Sequence, residues 1–207
     1  MSAFTYETKN NNVPLETYEW DNVWLEQTEI TDRPRVLYIG DSISCGIRQK
    51  ASAAAEYRIL IDGFGSSKAL DNPYLAPAVA LFGRQQNNRA AILVNNGLHG
   101  WHLEDTTEYR QHYDAFLCFL EKEFPATPIF VVTTTRVENE ERHARVLARN
   151  KVAKELAQAH GMPCFDLYPI SVEQKEHQIE DGVHYTREGY VIFAKAICAF
   201  LKEQNIY

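Results

Sequence analysis

The order of apolar runs along this chain predicts an α/β fold, a parallel sheet with helices on both faces. Three observations carry that prediction. Short runs that are apolar throughout recur along the sequence, as strands covered on both faces should be. Longer segments with apolar residues at helical spacing separate them. At 207 residues the chain is long enough for one sizeable core and short for two. Strict alternation of strand and helix then calls for right-handed crossovers between parallel strands.

Residues 1–33 have no clear period. They include "NNN" at 10–12 and the aromatic-rich "YEWDNVW", and are read as an N-terminal arm packed on a domain spanning 34–207. The first strand is "RVLYIGDS", stopping at Gly40, and "YRILIDGFG" at 57–65 repeats the pattern. "AAILVNNG" and "PIFVVTTT" follow, with "MPCFDLY" a weaker fifth. Helices are predicted over 43–55, 76–86, 106–123, 138–160 and 186–204. The last opens on Thr186 as N-cap and repeats Tyr190, Phe193, Ala194, Ile197 and Leu201 along one face. Asn150 shares a face with Val146, Ala153 and Ala157, so it is expected to be a hydrogen-bonded polar group facing the protein.

Twenty-one Lys and Arg stand against 28 Asp and Glu, a net charge of -7, and no basic cluster could follow a phosphate backbone. Nucleic acid and anionic membrane are therefore not expected partners. The first thirty residues contain no basic head followed by an apolar run. Nowhere do the roughly eighteen apolar residues of a membrane span run together. The expectation is a cytoplasmic protein. Cys45, Cys118, Cys164 and Cys198 are far apart with no C-x-x-C pair, which argues against a zinc site or a disulfide framework. Cys118 and Cys198 lie in apolar helical stretches and are read as small core residues.

In a sheet of this kind ligands bind at the carboxyl ends of the strands. Directly after the first strand stands "GDSISCG", with Ser42 on the strand-to-helix turn. Such a serine is a simple helix cap, or else a hydroxyl exposed where backbone N–H groups favour developing negative charge. A hydroxyl is a weak nucleophile, so it needs an imidazole to take its proton and an acid to orient that imidazole. "IEDGVHYT", just before the last helix, offers both in Asp181 and His184; read alone, it is also an Asp-Gly turn with a surface histidine.

With "GDSI" after the first strand, "DGVH" before the last helix and five strand runs between, residues 34–204 resemble the SGNH, or GDSL-like, hydrolase superfamily. The resemblance implies a three-layer α/β/α sandwich on a flavodoxin-like five-stranded parallel sheet. It also implies Ser42 as nucleophile, with Asp181 and His184 completing the triad and Asp41 holding the turn. The oxyanion hole would comprise the Ser42 amide, the amide of Gly65 (alternatively Gly63) and a side chain after the third strand. Here the chain departs from the pattern. The usual Gly-x-Asn-Asp appears as "NNGLHG", so His99 falls where asparagine should be, with Asn96 the alternative donor.

The activity implied is ester hydrolysis through an acyl-enzyme, on short acyl or acetyl esters of small molecules or carbohydrates, with no cofactor. An acyltransferase using the same triad and a non-catalytic carbohydrate-binding relative are the alternatives. His99, His102, Asp181 and His184 also prompt a metal reading, but their spacing is loose and leaves Ser42 unexplained; no metal is expected. Trp101 and His102 are candidates for a pocket wall, and Arg136 for contact with an anionic substrate group.

Overall fold

The computed structural model describes residues 15–16 and 18–207. The rest of the arm, residues 1–14 and 17, lies outside the described residues. Six strands, β1 (Asp21–Trp24), β2 (Arg35–Gly40), β3 (Leu60–Ser66), β4 (Arg89–Val94), β5 (Ile129–Val132) and β6 (Cys164–Phe165), form one sheet in the order β1-β3-β2-β4-β5-β6. Six α-helices connect or follow them: α1 (Ser42–Ala54), α2 (Leu75–Gly83), α3 (Thr106–Glu123), α4 (Glu140–Ala159), α5 (Leu167–Glu173) and α6 (Arg187–Glu203).

Strands β2 to β6 are parallel, giving the expected five-stranded flavodoxin-like sheet. Two elements depart from expectation. The arm supplies a sixth strand, β1, antiparallel to β3 at the sheet edge; all four of its residues are exposed, so no apolar pattern marked it. The two-residue β6 is followed by the short α5, where the sequence offered only a weak strand.

Alternation within the strands sorts the core. Val36 and Tyr38 of β2 pack with Ile43, Ile47 and Ala51 of α1 and Phe193, Ile197 and Leu201 of α6. Leu37 and Ile39 point the other way, onto Val79 of α2, Leu117 and Leu120 of α3 and Leu156 of α4. Helices α1 and α6 approach closely, because a side chain at Gly46 would overlap the Tyr190 ring. Cys198 is buried as expected, but Cys118 is exposed. It sits one residue past Leu117, off the buried stripe of Tyr109, Tyr113, Phe116, Leu117 and Leu120. Among the described residues no helix is long and apolar enough to cross a membrane.

A buried ion pair ties the arm to this sheet. Arg35 donates through Nε to Asp62 Oδ2 at 2.8 Å and through an η-nitrogen to Oδ1 at 2.7 Å. The same carboxylate accepts from the Glu26 amide at 2.7 Å and the Gln86 side chain at 2.6 Å. Asp62→Ala would leave the Arg35 guanidinium buried without its counter-charge. It is expected to cost about 3–5 kcal/mol of stability, read as a lower urea midpoint at unchanged slope. A loss below about 1 kcal/mol would mean that the pair is not what secures this edge.

Candidate functional site

The sheet order reverses at β2, since the chain passes from β2 to β3 on one side and then to β4 on the other. The turns after β2 and β4 therefore face each other at the carboxyl edge, where the Asn95 amide donates to the Ile39 carbonyl at 3.0 Å. On the first turn the helix cap is Asp41, not Ser42: Asp41 Oδ1 accepts from the Ile43 amide at 2.9 Å. Ser42 is thus the first helical residue, and its hydroxyl is released from capping. Burial pushes the Asp41 carboxyl up, partly offset by the nearby His99 and His184 imidazoles and by amide hydrogen bonds.

The second half of the site comes from the loop before α6. His184 Nε2 lies 2.7 Å from Ser42 Oγ, and its Nδ1 lies 2.6 Å from Asp181 Oδ2. The other carboxylate oxygen, Oδ1, accepts from the Val183 and His184 amides, both at 2.9 Å. Gly182 permits this tight loop with φ of +70°, and a side chain there would press on Glu138. The Ile179 amide donates to the His184 carbonyl at 2.9 Å, and the Glu138 amide to the Gly182 carbonyl at 2.8 Å, closing the loop from both sides. Burial would raise the Asp181 carboxyl, but hydrogen bonds from the His184 amide and ring and the Val183 amide outweigh it and hold the group below its usual range.

On the β3 side, Gly65 is opposite Gly40 of β2 and Asn22 of β1. A side chain there would strike Cys45 and come within 3.3 Å of the Asp41 carbonyl. The Ser67 amide donates to the Trp20 carbonyl at 3.1 Å, which makes this a bonded pair of the antiparallel ladder. Bonded pairs recur every second residue, so the Gly65 N–H points toward Asn22 and away from Ser42. Gly63 lies two residues deeper, under Arg48. On the β4 side, His99 is buried, with Nδ1 2.5 Å from Glu16 Oε1 and its ring edge-on to Trp20 at 5.9 Å. Asn96 turns its side-chain amide to the Lys68 carbonyl at 3.4 Å.

No protein-family model matches the sequence, and no curated protein matches it. Solved structures do. A lipase/acylhydrolase from Enterococcus faecalis aligns with a TM-score of 0.65 at 16% identity, covering 83% of this chain and 96% of the other. Est24, a carbohydrate acetylesterase from Sinorhizobium meliloti, aligns at 0.67 and 13% identity over 83% of this chain and 100% of its own. A GDSL-like lipase from Parabacteroides merdae aligns at 0.63 and 13% identity, covering 86% and 98%. The fold is that of the SGNH hydrolases. At such identity the likeness is one of fold, and the side chains of this chain must speak for its chemistry.

Within the SGNH fold the remaining candidates take other places. Trp101 is buried in the core, with the Arg142, Arg145 and Arg149 guanidinium groups 5.8, 5.2 and 5.2 Å from its ring centre, so it covers core and does not wall an open pocket. His102 Nε2 lies 2.8 Å from Asp71 Oδ2. Arg136 donates to the Gln178 side chain, and Gln178 in turn donates to the Gly182 carbonyl at 2.8 Å, so the arginine braces the Asp181–His184 loop. His99, His102 and His184 thus meet three different carboxylates. Among the described residues, the one group with metal-ligating atoms close together is Asp114, Cys118 and His160, on α3 and at the end of α4. Asn150 meets its expectation, since Oδ1 accepts from the Thr134 amide at 2.7 Å and Nδ2 donates to the Thr134 carbonyl at 2.8 Å.

Its neighbour Arg149 escaped the sequence reading. Buried in α4, it donates to the carbonyls of Gly97 at 3.2 Å, His99 at 2.6 Å and Leu103 at 3.2 Å, and to that of Gly100. It therefore sets the path of the whole His99 loop. A signal existed: an arginine three residues after Val146 falls on the apolar face of its helix, where a charge needs a reason to be. Glu16 also went unread, because nothing in the aperiodic arm links it to a histidine 83 positions later.

Proposed function

We propose that this chain is a serine hydrolase that cleaves carboxylic esters through an acyl-enzyme. The observation that carries the reading is the unbroken hydrogen-bond chain from Asp181 through His184 to Ser42, with 2.6 and 2.7 Å contacts. Ser42 Oγ attacks the ester carbonyl carbon as His184 Nε2 takes the hydroxyl proton. The tetrahedral intermediate collapses, the carbon–oxygen bond to the alcohol breaks, and His184 returns the proton to the leaving alkoxide. Water, deprotonated by the same ring, then attacks the acyl group and restores Ser42. Asp181 keeps Nδ1 protonated throughout, so Nε2 remains the base.

The oxyanion is received by the Ser42 amide at the head of α1 and by the His99 ring. The Gly65 amide, turned toward β1, is not needed in this scheme. Short acyl esters, acetyl groups on carbohydrates among them, are the substrates proposed; the acetylesterases among the fold relatives support that choice.

A fluorophosphonate tests the reading without knowledge of the substrate. Ser42 Oγ bonds to phosphorus, fluoride leaves, and the hydroxyl proton passes to His184. Intact mass is expected to gain one phosphonyl group, and folded protein that takes none would sink the proposal. Loss of an oxyanion donor typically costs about 10² to 10³ in turnover. His99→Ala should therefore slow 4-nitrophenyl acetate hydrolysis on that scale, with His99→Asn largely active and Asn96→Ala unaffected. The reverse pattern would move the role to Asn96.

A further inference from the structure

The carboxylate behind the His99 ring has no counterpart in the scheme above. Glu16 Oε1 lies 2.5 Å from His99 Nδ1, and the two side chains are only 8% and 7% exposed. Other bonds hold the arm in place independently of this contact. Arg48 donates to the Asn22 carbonyl at 2.9 Å and to its side chain. Lys68 pairs with Asp21 at 2.8 Å, and the Trp20 amide donates to Ser67 Oγ at 2.9 Å. Arg149 fixes the backbone of His99 through its bond to the His99 carbonyl.

A neutral imidazole carries one hydrogen. If Nδ1 gave that hydrogen to a Glu16 carboxylate, Nε2 would be left an acceptor and could not stabilise an oxyanion. One more proton, shared between Glu16 and Nδ1, resolves this. Whether written as carboxylate with imidazolium or as carboxyl with imidazole, the pair is then neutral and Nε2 keeps its hydrogen. Opposite charges in so dry a contact stabilise that state.

We propose that Glu16 is a positioning residue: through Nδ1 it fixes the His99 ring and retains the hydrogen on Nε2 for the oxyanion formed at Ser42, which makes the N-terminal arm part of the active site. The inference rests on the reading of His99 as oxyanion donor. An asparagine at that position would donate through an amide that needs no proton held for it, and Glu16 would then have nothing to set.

The test is the rate of fluorophosphonate labelling, followed by intact mass, for wild type, Glu16→Ala, Glu16→Gln, His99→Asn, His99→Ala and the Glu16→Ala/His99→Asn double variant, each with its fold checked by circular dichroism. The phosphonyl oxygen occupies the place of the ester carbonyl oxygen, so the same donors act on it. Glu16→Ala is expected to slow labelling about 10- to 100-fold, less than full loss of a donor, and to leave the His99→Asn background within about twofold, whereas Glu16→Gln, whose amide nitrogen can donate to Nδ1 and so keep the ring hydrogen on Nε2, should label near the wild-type rate. Equal slowing in both backgrounds would assign Glu16 to docking the arm and overturn the proposal, as would no slowing in either. Wild type that takes no adduct would overturn the hydrolase reading and this inference together. Wild type that labels, alongside a His99→Ala variant that labels as fast, would remove His99 and Glu16 while leaving the triad standing.

Discussion

Ser42→Ala is expected to abolish the fluorophosphonate adduct and to lower kcat on 4-nitrophenyl acetate by about 10⁶-fold, the scale on which loss of a triad serine acts. The protein should fold as before. Asp41, not Ser42, caps α1, and the hydrogen bond made by the Ser42 side chain is the one to His184. Removing a half-buried hydroxyl whose partner also meets Asp181 leaves no buried group stranded. Activity and stability should therefore separate, with an unchanged melting temperature beside lost turnover. Near-normal turnover in this variant would end the nucleophile assignment, and an adduct that persists would place the reactive group on another side chain.

Where the sequence could be read, the reason was local. Strands β2 to β5 announce themselves because burial on both faces demands continuous apolar runs, and Ser42 stood out at the β2–α1 boundary the periodicity had located, with Asp181 and His184 in the loop that leads into α6. What escaped depends on long-range geometry. The exposed β1 is ordered by Arg48, Lys68 and the β3 ladder, none of them its neighbours in sequence.

That same strand turns the Gly65 amide toward Asn22, a consequence that composition around the glycine cannot reveal. Glu16 and Arg149 both hold His99, one from the arm and one from α4, and neither is near it in sequence. In the proposed scheme, with His99 as oxyanion donor, the chain has a carboxylate at Nδ1 where a ring, unlike an amide, would need one.

Asp181→Asn is expected to lower kcat by about 10⁴-fold with little change in fold. The substitution keeps an oxygen that can accept from the Val183 and His184 amides, so the loop closed by the Gly182 carbonyl persists. What changes is the atom facing Nδ1. An amide nitrogen there donates, so the ring must accept at Nδ1 and carry its hydrogen on Nε2, aimed at Ser42, where it cannot act as a base. The loss should appear in kcat, with KM nearly unmoved, because substrate does not touch Asp181 in this scheme.

The acid side supplies a second readout. The Asp181 carboxyl is held below its ordinary range, so the stability it adds is present above the unfolded carboxylate range and is lost as pH falls through its lower folded value. With asparagine that titration is gone, and the melting temperature of the variant should fall less than that of wild type as the pH is taken down through about 4. A variant with full turnover, or one whose acid profile matches wild type, would mean that Asp181 neither sets the tautomer of His184 nor draws its charge from the ring and amides around it.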